Sequence, residues 1–231
     1  ERSRKTLSEW VCDYRIIKDG EIRWLRGVSQ PERNPDGSTT WHGVITDIDD
    51  QKRLEFQLEA LTITDELTGL YNRRYLLRKL EELEEQSARY DHPFSLLSLD
   101  IDFFKSVNDS WGHLTGDTVL RTVANLIETR TRKTDIVART GGEEFIVLMP
   151  HTTLSDARHV AESLRIGMET ESFVSDDGTP FNVTLSAGVV CWSRSINGVR
   201  ELLSACDQLL YQAKRAGRNQ VVVSEIGAEK S

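Results

Sequence analysis

The sequence has little of what would mark a secreted or membrane-spanning protein. Only three cysteines occur in 231 residues. Cys12, Cys191 and Cys206 are odd in number and lack metal-ligand spacing, which predicts reduced, buried thiols rather than a disulfide frame or a zinc site. No apolar run reaches the roughly 18 residues of a membrane helix, and the charged N-terminal stretch does not have the form of a signal peptide. The expectation is a cytoplasmic chain, whose parent could still carry an anchor upstream. Positive charge is also scarce: 29 Lys and Arg face 37 Asp and Glu, for a net charge of -8. That balance argues against a general nucleic-acid or anionic-membrane binder, so any phosphate recognition has to be local. The length allows one large domain or two modest ones.

What is present centres on Arg139-Thr140-Gly141-Gly142-Glu143-Glu144-Phe145, between the apolar runs Ile136-Val137-Ala138 and Ile146-Val147-Leu148-Met149. Adjacent glycines between strand-like runs predict a tight hairpin of type I′, in which both central residues take positive φ. The turn would present Glu143 and Glu144 at its tip. A solvated turn would suffice to explain two neighbouring acids if the hairpin stood alone. Earlier in the chain, however, the stretch Phe94 to Lys105 is a buried-strand pattern that ends in Asp100, Asp102, two aromatics and Lys105. Antiparallel packing of that strand beside the hairpin brings Asp100 close to Glu143. Like charges about 4 Å apart repel by about 4 kcal/mol at an effective dielectric near 20. Such a cluster is usually held together by a divalent cation, and oxygen-only ligands favour magnesium shared with substrate phosphates.

The rest of the chain falls into three stretches. Residues 1–49 read as a β-meander, with strands Trp10 to Ile17, Glu21 to Ser29 and Thr39 to Asp47 separated by Lys18-Asp19-Gly20 and Asn34-Pro35-Asp36-Gly37 turns. Residues 50–64 read as a charged helix with Leu54, Leu58 and Leu61 at the spacing of a coiled-coil seam, or as a solvated linker helix with one apolar stripe. From Asp65 to residue 231 the pattern alternates. Asn72 caps a helix burying Leu76, Leu77, Leu80 and Leu83, and a helix from about Gly116 to Arg132 follows the Phe94 strand. After the hairpin come a helix from Thr153 to Glu169, a strand from Asn182 to Trp192, a helix from Val199 to Ala216 and a strand from Gln220 to Ser224. This pattern is an α+β domain, a central antiparallel sheet flanked by helices.

Four stretches give the chain a family resemblance. Asp65-Glu66-Leu67-Thr68-Gly69-Leu70-Tyr71-Asn72-Arg73-Arg74, the acids and polar residues from Asp100 to Asp117, Gly141 to Phe145, and Ala213-Lys214-Arg215-Ala216-Gly217-Arg218-Asn219 stand in the order found in GGDEF-domain diguanylate cyclases. The chain resembles that family, with Gly-Gly-Glu-Glu-Phe as its accepted variant signature. The meander resembles the C-terminal half of a PAS sensor domain whose first elements are absent, through truncation or because a partner pairs with the exposed edge. The helix at 50–64 then resembles a dimerising signalling helix.

The resemblance implies a nucleotidyl-cyclase and polymerase-palm architecture and assigns roles by position. Asp100, the Ile101 carbonyl, Glu143 and Glu144 would hold Mg²⁺, with Mn²⁺ possible, and Asp102 would be structural. Glu143 would also accept the proton of the attacking hydroxyl. Phe103, Phe104 and Lys105 would meet the β- and γ-phosphates of GTP through backbone N–H groups and an ammonium. Lys214 and Arg218, four apart on one helical face, would neutralise the same triphosphate. Asn108 and Asp117 would read guanine, whose N1 and N2 donors suit a carboxylate, with His113 near the substrate. Taken alone, Asn108-Asp109 reads as a turn, Asp117 as a helix-start acid, and the Lys214 segment as a solvated helix end. Arg132 and Asp135, in Arg-x-x-Asp spacing before the hairpin, would bind the cyclic di-GMP product as an inhibitor. The accessory arginine of that site is Ser163 here, with Arg158 and Arg165 nearby. One GTP per domain and two GMP units in the product imply a homodimer. The alternative reading is a catalytically inactive cyclic di-GMP receptor or dimerisation module.

Overall fold

The computed structural model describes residues 3, 6–18, 20–61, 63–90, 92–175, 178–196 and 198–225. The chain divides into two compact units, Glu1–Thr62 and Ile63–Ser231.

The first unit is a meander of β1 (Trp10–Lys18), β2 (Glu21–Arg33) and β3 (Thr39–Asp47), each antiparallel to the next, followed by α1 (Asp49–Leu61). Gly20 and Gly37 take φ of 82° in the two turns. Residues of β1 and β2 interlock by side chains: Asp13 accepts two hydrogen bonds from Arg26, at 2.6 and 2.9 Å. Asp49 accepts the Trp24 N–H at 3.2 Å, which fastens the start of α1 to β2. Ile17, Val44 and Ile45 remain largely exposed. Leu54, one of the expected seam positions, is also exposed, and the side chains of Leu58 and Leu61 lie outside the described residues.

The second unit is organised on a six-stranded sheet in the order β11-β10-β5-β7-β6-β4. Its strands are β4 (Tyr71–Asn72), β5 (Phe94–Ile101), β6 (Ile136–Arg139), β7 (Glu144–Pro150), β10 (Leu185–Cys191) and β11 (Val221–Glu225), and a small separate hairpin is formed by β8 (Phe173–Val174) and β9 (Pro180–Phe181). The four inner strands are antiparallel, as the alternating pattern predicts. The two edge pairs are parallel; between β10 and β11 a single helix returns the chain in the same direction. All eight residues of β5 are buried, the pattern of a strand covered on both faces.

The covers are four helices: α2 (Arg73–Tyr90), α3 (Phe104–Arg130), α4 (Leu154–Glu169) and α5 (Val199–Arg215). Residues of α3 and α4 pack on one face around Leu97, Leu99, Phe145 and Val147. Residues of α2 and α5 pack on the other around Leu96, Ile146, Leu148 and Val190. Asn72 caps α2 as expected, its side chain accepting the Tyr75 N–H at 3.0 Å. A Cβ at Gly188 would collide with the backbone of α5, so glycine there sets how closely that helix approaches β10. Cys206 is buried at this contact, and burial pushes its thiol pKa up. Cys12 and Cys191 are free and only half-buried, less enclosed than expected.

One helix differs from the sequence reading. α3 begins at Phe104 rather than near Gly116 and carries a break at Gly112, with φ 80° and ψ 164°. Asn108, Asp109 and Gly112 have turn chemistry, but Phe104 and Val107 are buried and draw the preceding turn into the helix.

Candidate active site

The sheet brings the two acidic stretches together. β5 and β7 pair with Asp100 opposite Glu144, and the Ile101 N–H donates to the Glu143 carbonyl at 3.4 Å. Asp100 is 4 % exposed. Burial is the main force pushing its pKa up to about 6. The Lys214 ammonium opposes that rise, and Glu143 and Glu144 add to it. Lys214 Nζ lies 2.7 Å from Asp100 Oδ2. Glu143 is half-buried and Glu144 exposed, and Asp207 of α5 is close enough to Glu144 for the two like charges to interact.

The turn that carries the two glutamates differs from the expected one. Neither Gly141 nor Gly142 lies at positive φ, so the turn is not type I′. The strands end at Arg139 and resume at Glu144, which leaves four residues rather than two to make the reversal. Glycine serves close approach here instead: a Cβ on Gly141 would stand 2.6 Å from Glu144 Oε2.

Arg139 braces this turn. Its Nε and Nη2 donate to the Gly142 carbonyl at 3.2 and 2.7 Å, and Nη1 reaches Asp65 Oδ1 at 3.1 Å. Burial raises the Asp65 pKa, but hydrogen bonds from Thr68 and Arg139 outweigh it and hold the carboxyl below its usual range. The opening and central motifs are thus joined through one guanidinium. Sequence reasoning did not assign that role to either residue, although both stand inside quoted motifs.

Phe103 precedes α3 at φ 57° with an exposed ring, Phe104 sends its ring into the core, and Lys105 is exposed on the first helical turn. The leading N–H groups of a helix have no intrahelical acceptors, which leaves this turn suited to anions. Asn108 lies against Gly116, where a Cβ would overlap its amide. Asp117 is half-buried and His113 exposed, both beyond the Gly112 break. Lys214 is in the last turn of α5, but Arg218 is not on that helix. Gly217, at φ 118°, ends it, and the Arg218 N–H turns back to the Ala213 carbonyl at 3.1 Å. The guanidinium of Arg218 instead lies over the Phe103 ring, 4.2 Å from its centroid. Asp102 is buried, bonded by the hydroxyls of Thr184 and Ser186, each at 2.7 Å.

A second feature lies between α3 and β6. Arg132 and Asp135 close a turn, with the Arg132 N–H on Asp135 Oδ2 at 2.8 Å. Asp135 Oδ1 is buried with no hydrogen-bond partner, and burial raises this carboxyl's pKa against the opposing pull of Arg132. Both residues line a groove of about 610 Å³ that also includes Lys133, Tyr71 and Tyr75. Ser163 accepts a hydrogen bond from Arg130 at its hydroxyl, at 3.0 Å. Arg165 is held by Glu162 and Glu169, each at 2.9 Å, so it is not a free substitute for an arginine at 163.

Among the described residues, no three His, Cys, Asp or Glu side chains stand together as a self-sufficient metal centre. The donors at the β5 end still fit magnesium. Magnesium takes one or two carboxylates and fills its remaining positions with water and phosphate oxygens, and a buried carboxylate among like charges is the environment a cation relieves. No helix among the described residues is long and apolar enough to cross a membrane.

The chain is similar to known proteins in sequence and in fold. A family profile described as diguanylate cyclase, GGDEF domain, matches residues 62–220. The chain is 42% identical over 173 residues to the response regulator PleD of Caulobacter vibrioides, covering 74% of this chain and 38% of that protein. It is 39% identical over 178 residues to diguanylate cyclase A of Treponema denticola, covering 76% of this chain and 48% of that one. The chain therefore spans less than half the length of these relatives. Its structure resembles the GGDEF domain of DgcB from Caulobacter crescentus, solved in complex with c-di-GMP. The TM-score is 0.68 at 31% identity, covering 70% of this chain and 95% of that one.

Proposed function

The chain belongs to the GGDEF-domain diguanylate cyclase family, and from that membership we propose that it condenses two GTP molecules into cyclic di-GMP with release of two pyrophosphates. One observation carries the reading: Asp100, a buried carboxylate, stands near the end of β5 opposite Glu144 and beside Glu143. Asp100, the Ile101 carbonyl, Glu143 and Glu144 are the donors that would hold Mg²⁺, with Mn²⁺ as the alternative ion. The ion supplies charge neutralisation at the phosphates when bound.

The chain's own groups do the rest. The first turn of α3, with Lys105, receives the β- and γ-phosphates, and Lys214 and Arg218 add positive charge there. Lys214 exchanges its Asp100 contact for phosphate when the nucleotide arrives. Asn108 and Asp117 select guanine through its N1 and N2 donors, with His113 alongside. The 3′-hydroxyl of one GTP attacks the α-phosphorus of the other, Glu143 accepts the hydroxyl proton, and pyrophosphate leaves. A second identical step closes the ring. Each domain binds one GTP, so catalysis is positioning within a two-fold homodimer.

Product returns to the Arg132–Asp135 groove as an inhibitor, guanidinium to phosphate and carboxylate to guanine. The unpartnered Asp135 oxygen supports that role. Residues 1–49 act as a partial PAS-like sensor segment, residues 50–64 as the signalling helix and residues 65–231 as the cyclase domain. GTP is a cytoplasmic nucleotide, and we assign the reaction to that compartment. Incubation with GTP and Mg²⁺, with ATP in parallel and products identified by mass spectrometry, tests the reading. Cyclic di-GMP from GTP alone is the expected result, and absence of any cyclic dinucleotide contradicts it.

A further inference from the structure

Asp102 takes no part in the proposed chemistry, yet the residue is only 4 % exposed. Burying a carboxylate is costly unless its oxygens are hydrogen-bonded. Oδ1 accepts from the Ser186 hydroxyl at 2.7 Å, and Oδ2 from the Thr184 hydroxyl at 2.7 Å. Those two donors come from β10 and its approach, beside β5. The third donor comes from elsewhere: the Asn219 N–H reaches Oδ2 at 3.0 Å from the turn after α5.

That turn is strained. Arg218 and Asn219 are successive non-glycine residues at φ 65° and 45°, in the left-handed region that L-residues avoid. Such a pair persists only where its surroundings hold it. Asn219 is held on three sides. Its side-chain amide donates to Glu169 at 2.8 Å and accepts from Arg165 at 3.1 Å, and its backbone N–H is on Asp102. The product of this clamp is the placement of Arg218, whose guanidinium rests 4.2 Å from the centroid of Phe103. Phe103 follows Asp102 directly in the chain. Asp102 therefore fixes both partners of the stack, one covalently and one through Asn219.

We propose that Asp102 is a positioning residue for the nucleotide site: by holding the Asn219 N–H it keeps the Arg218–Asn219 turn closed and sets the Arg218 guanidinium beside the first turn of α3. The inference rests on the reading above that Arg218 meets the triphosphate, and it gives Asp102 an effect on nucleotide affinity that a purely architectural acid would not have.

The test compares Asp102→Ala, Asp102→Asn, Arg218→Ala and the Asp102→Ala/Arg218→Ala double variant, each checked for folding by circular dichroism. Loss of one held charge-assisted contact corresponds to about a 10-fold rise in KM for GTP in Asp102→Ala, with kcat changed less. Asp102→Asn, which keeps an oxygen for Asn219 and Thr184, returns KM to within about 2-fold of the parent, since the carbonyl still accepts both bonds. The double variant matches Arg218→Ala, because the two residues act as one unit. An unchanged KM in folded Asp102→Ala, or effects that multiply in the double variant, overturns the inference. Should Asp102→Ala not fold, Arg165→Ala/Glu169→Ala releases the same asparagine from outside the nucleotide site; a KM rise of about 3-fold supports the clamp, and none overturns it. Calorimetry with the magnesium complex of a GTP analogue bearing a methylene between the α- and β-phosphorus separates the two claims. Absence of cyclic di-GMP from the parent protein defeats the proposed function, whereas equal analogue affinity in the parent and Asp102→Ala defeats the positioning role.

Discussion

The end of β5 and the Arg132–Asp135 groove each bury a carboxylate and raise its pKa, yet they are built to opposite ends. Around Asp100, further acids crowd in and Lys214 offsets them. Around Asp135, the neighbouring charge is an arginine, and the second carboxylate oxygen is left without a partner. Burial alone therefore does not say what a carboxylate is for. Its neighbours do: a surplus of negative charge calls for a cation, whereas an acid and a guanidinium set side by side suit a ligand that carries both hydrogen-bond donors and phosphate.

If that contrast is correct, the two sites separate under mutation. The largest effect is expected for Glu143→Gln, which keeps the shape of the turn but removes a charge and a proton acceptor. Turnover falls by about 10³-fold or more while the fold and product binding in the groove persist. Undiminished turnover would break the contrast at its catalytic side. Next comes Arg132→Ala, for which the product concentration giving half-inhibition rises by about 30-fold at unchanged kcat. An unmoved inhibition curve would remove the groove from the account. A smaller effect follows from Arg139→Ala, which unties the Gly142 carbonyl from Asp65. Turnover drops by about 10-fold, the cost of a loosened site, with inhibition unmoved.

The smallest effect is on pH. Asp100 titrates near 6 in the folded chain against an ordinary value of 3.8, so the folded state binds a proton there that the unfolded chain has released. By linkage, this group's contribution to stability rises as pH falls from about 6 toward 3.8, and the cost of its buried charge is fully felt only well above pH 6. The same proton competes with magnesium. Apparent magnesium affinity, measured by activity at pH 5 and pH 7, is therefore weaker at the lower pH, whereas this group's contribution to the melting temperature is larger there. Equal magnesium affinity at both values would show that Asp100 is not a ligand.

Much of this was legible from residue pattern. The eight-residue run of β5, Asn72 as a cap and the helices α2, α4 and α5 follow from periodicity and turn chemistry. The pairing of Asp100 with the glutamate turn was inferable because both strands are continuous and buried. Less legible was the start of α3, where turn-forming Asn108, Asp109 and Gly112 compete with the burial of Phe104 and Val107. The glycines of the turn before Glu143 were misread because room for Glu144 and positive φ both select glycine. Arg218 was misread because spacing of four residues suggests one helical face, and Gly217 breaks the helix between them. The Arg139–Asp65 brace and the Asp102–Asn219 bond join residues far apart in sequence, and no local pattern encodes them.

The central claim, that acids from β5 and the following hairpin share a cation that steadies a nucleoside triphosphate, is tested most directly by crystallography. Crystals grown with Mn²⁺ and the methylene GTP analogue, examined by anomalous diffraction, should show a manganese peak between the Asp100 and Glu143 carboxylates and in contact with the phosphates. Nucleotide bound with its phosphates on the first turn of α3, but with manganese absent from those two carboxylates, would contradict the account.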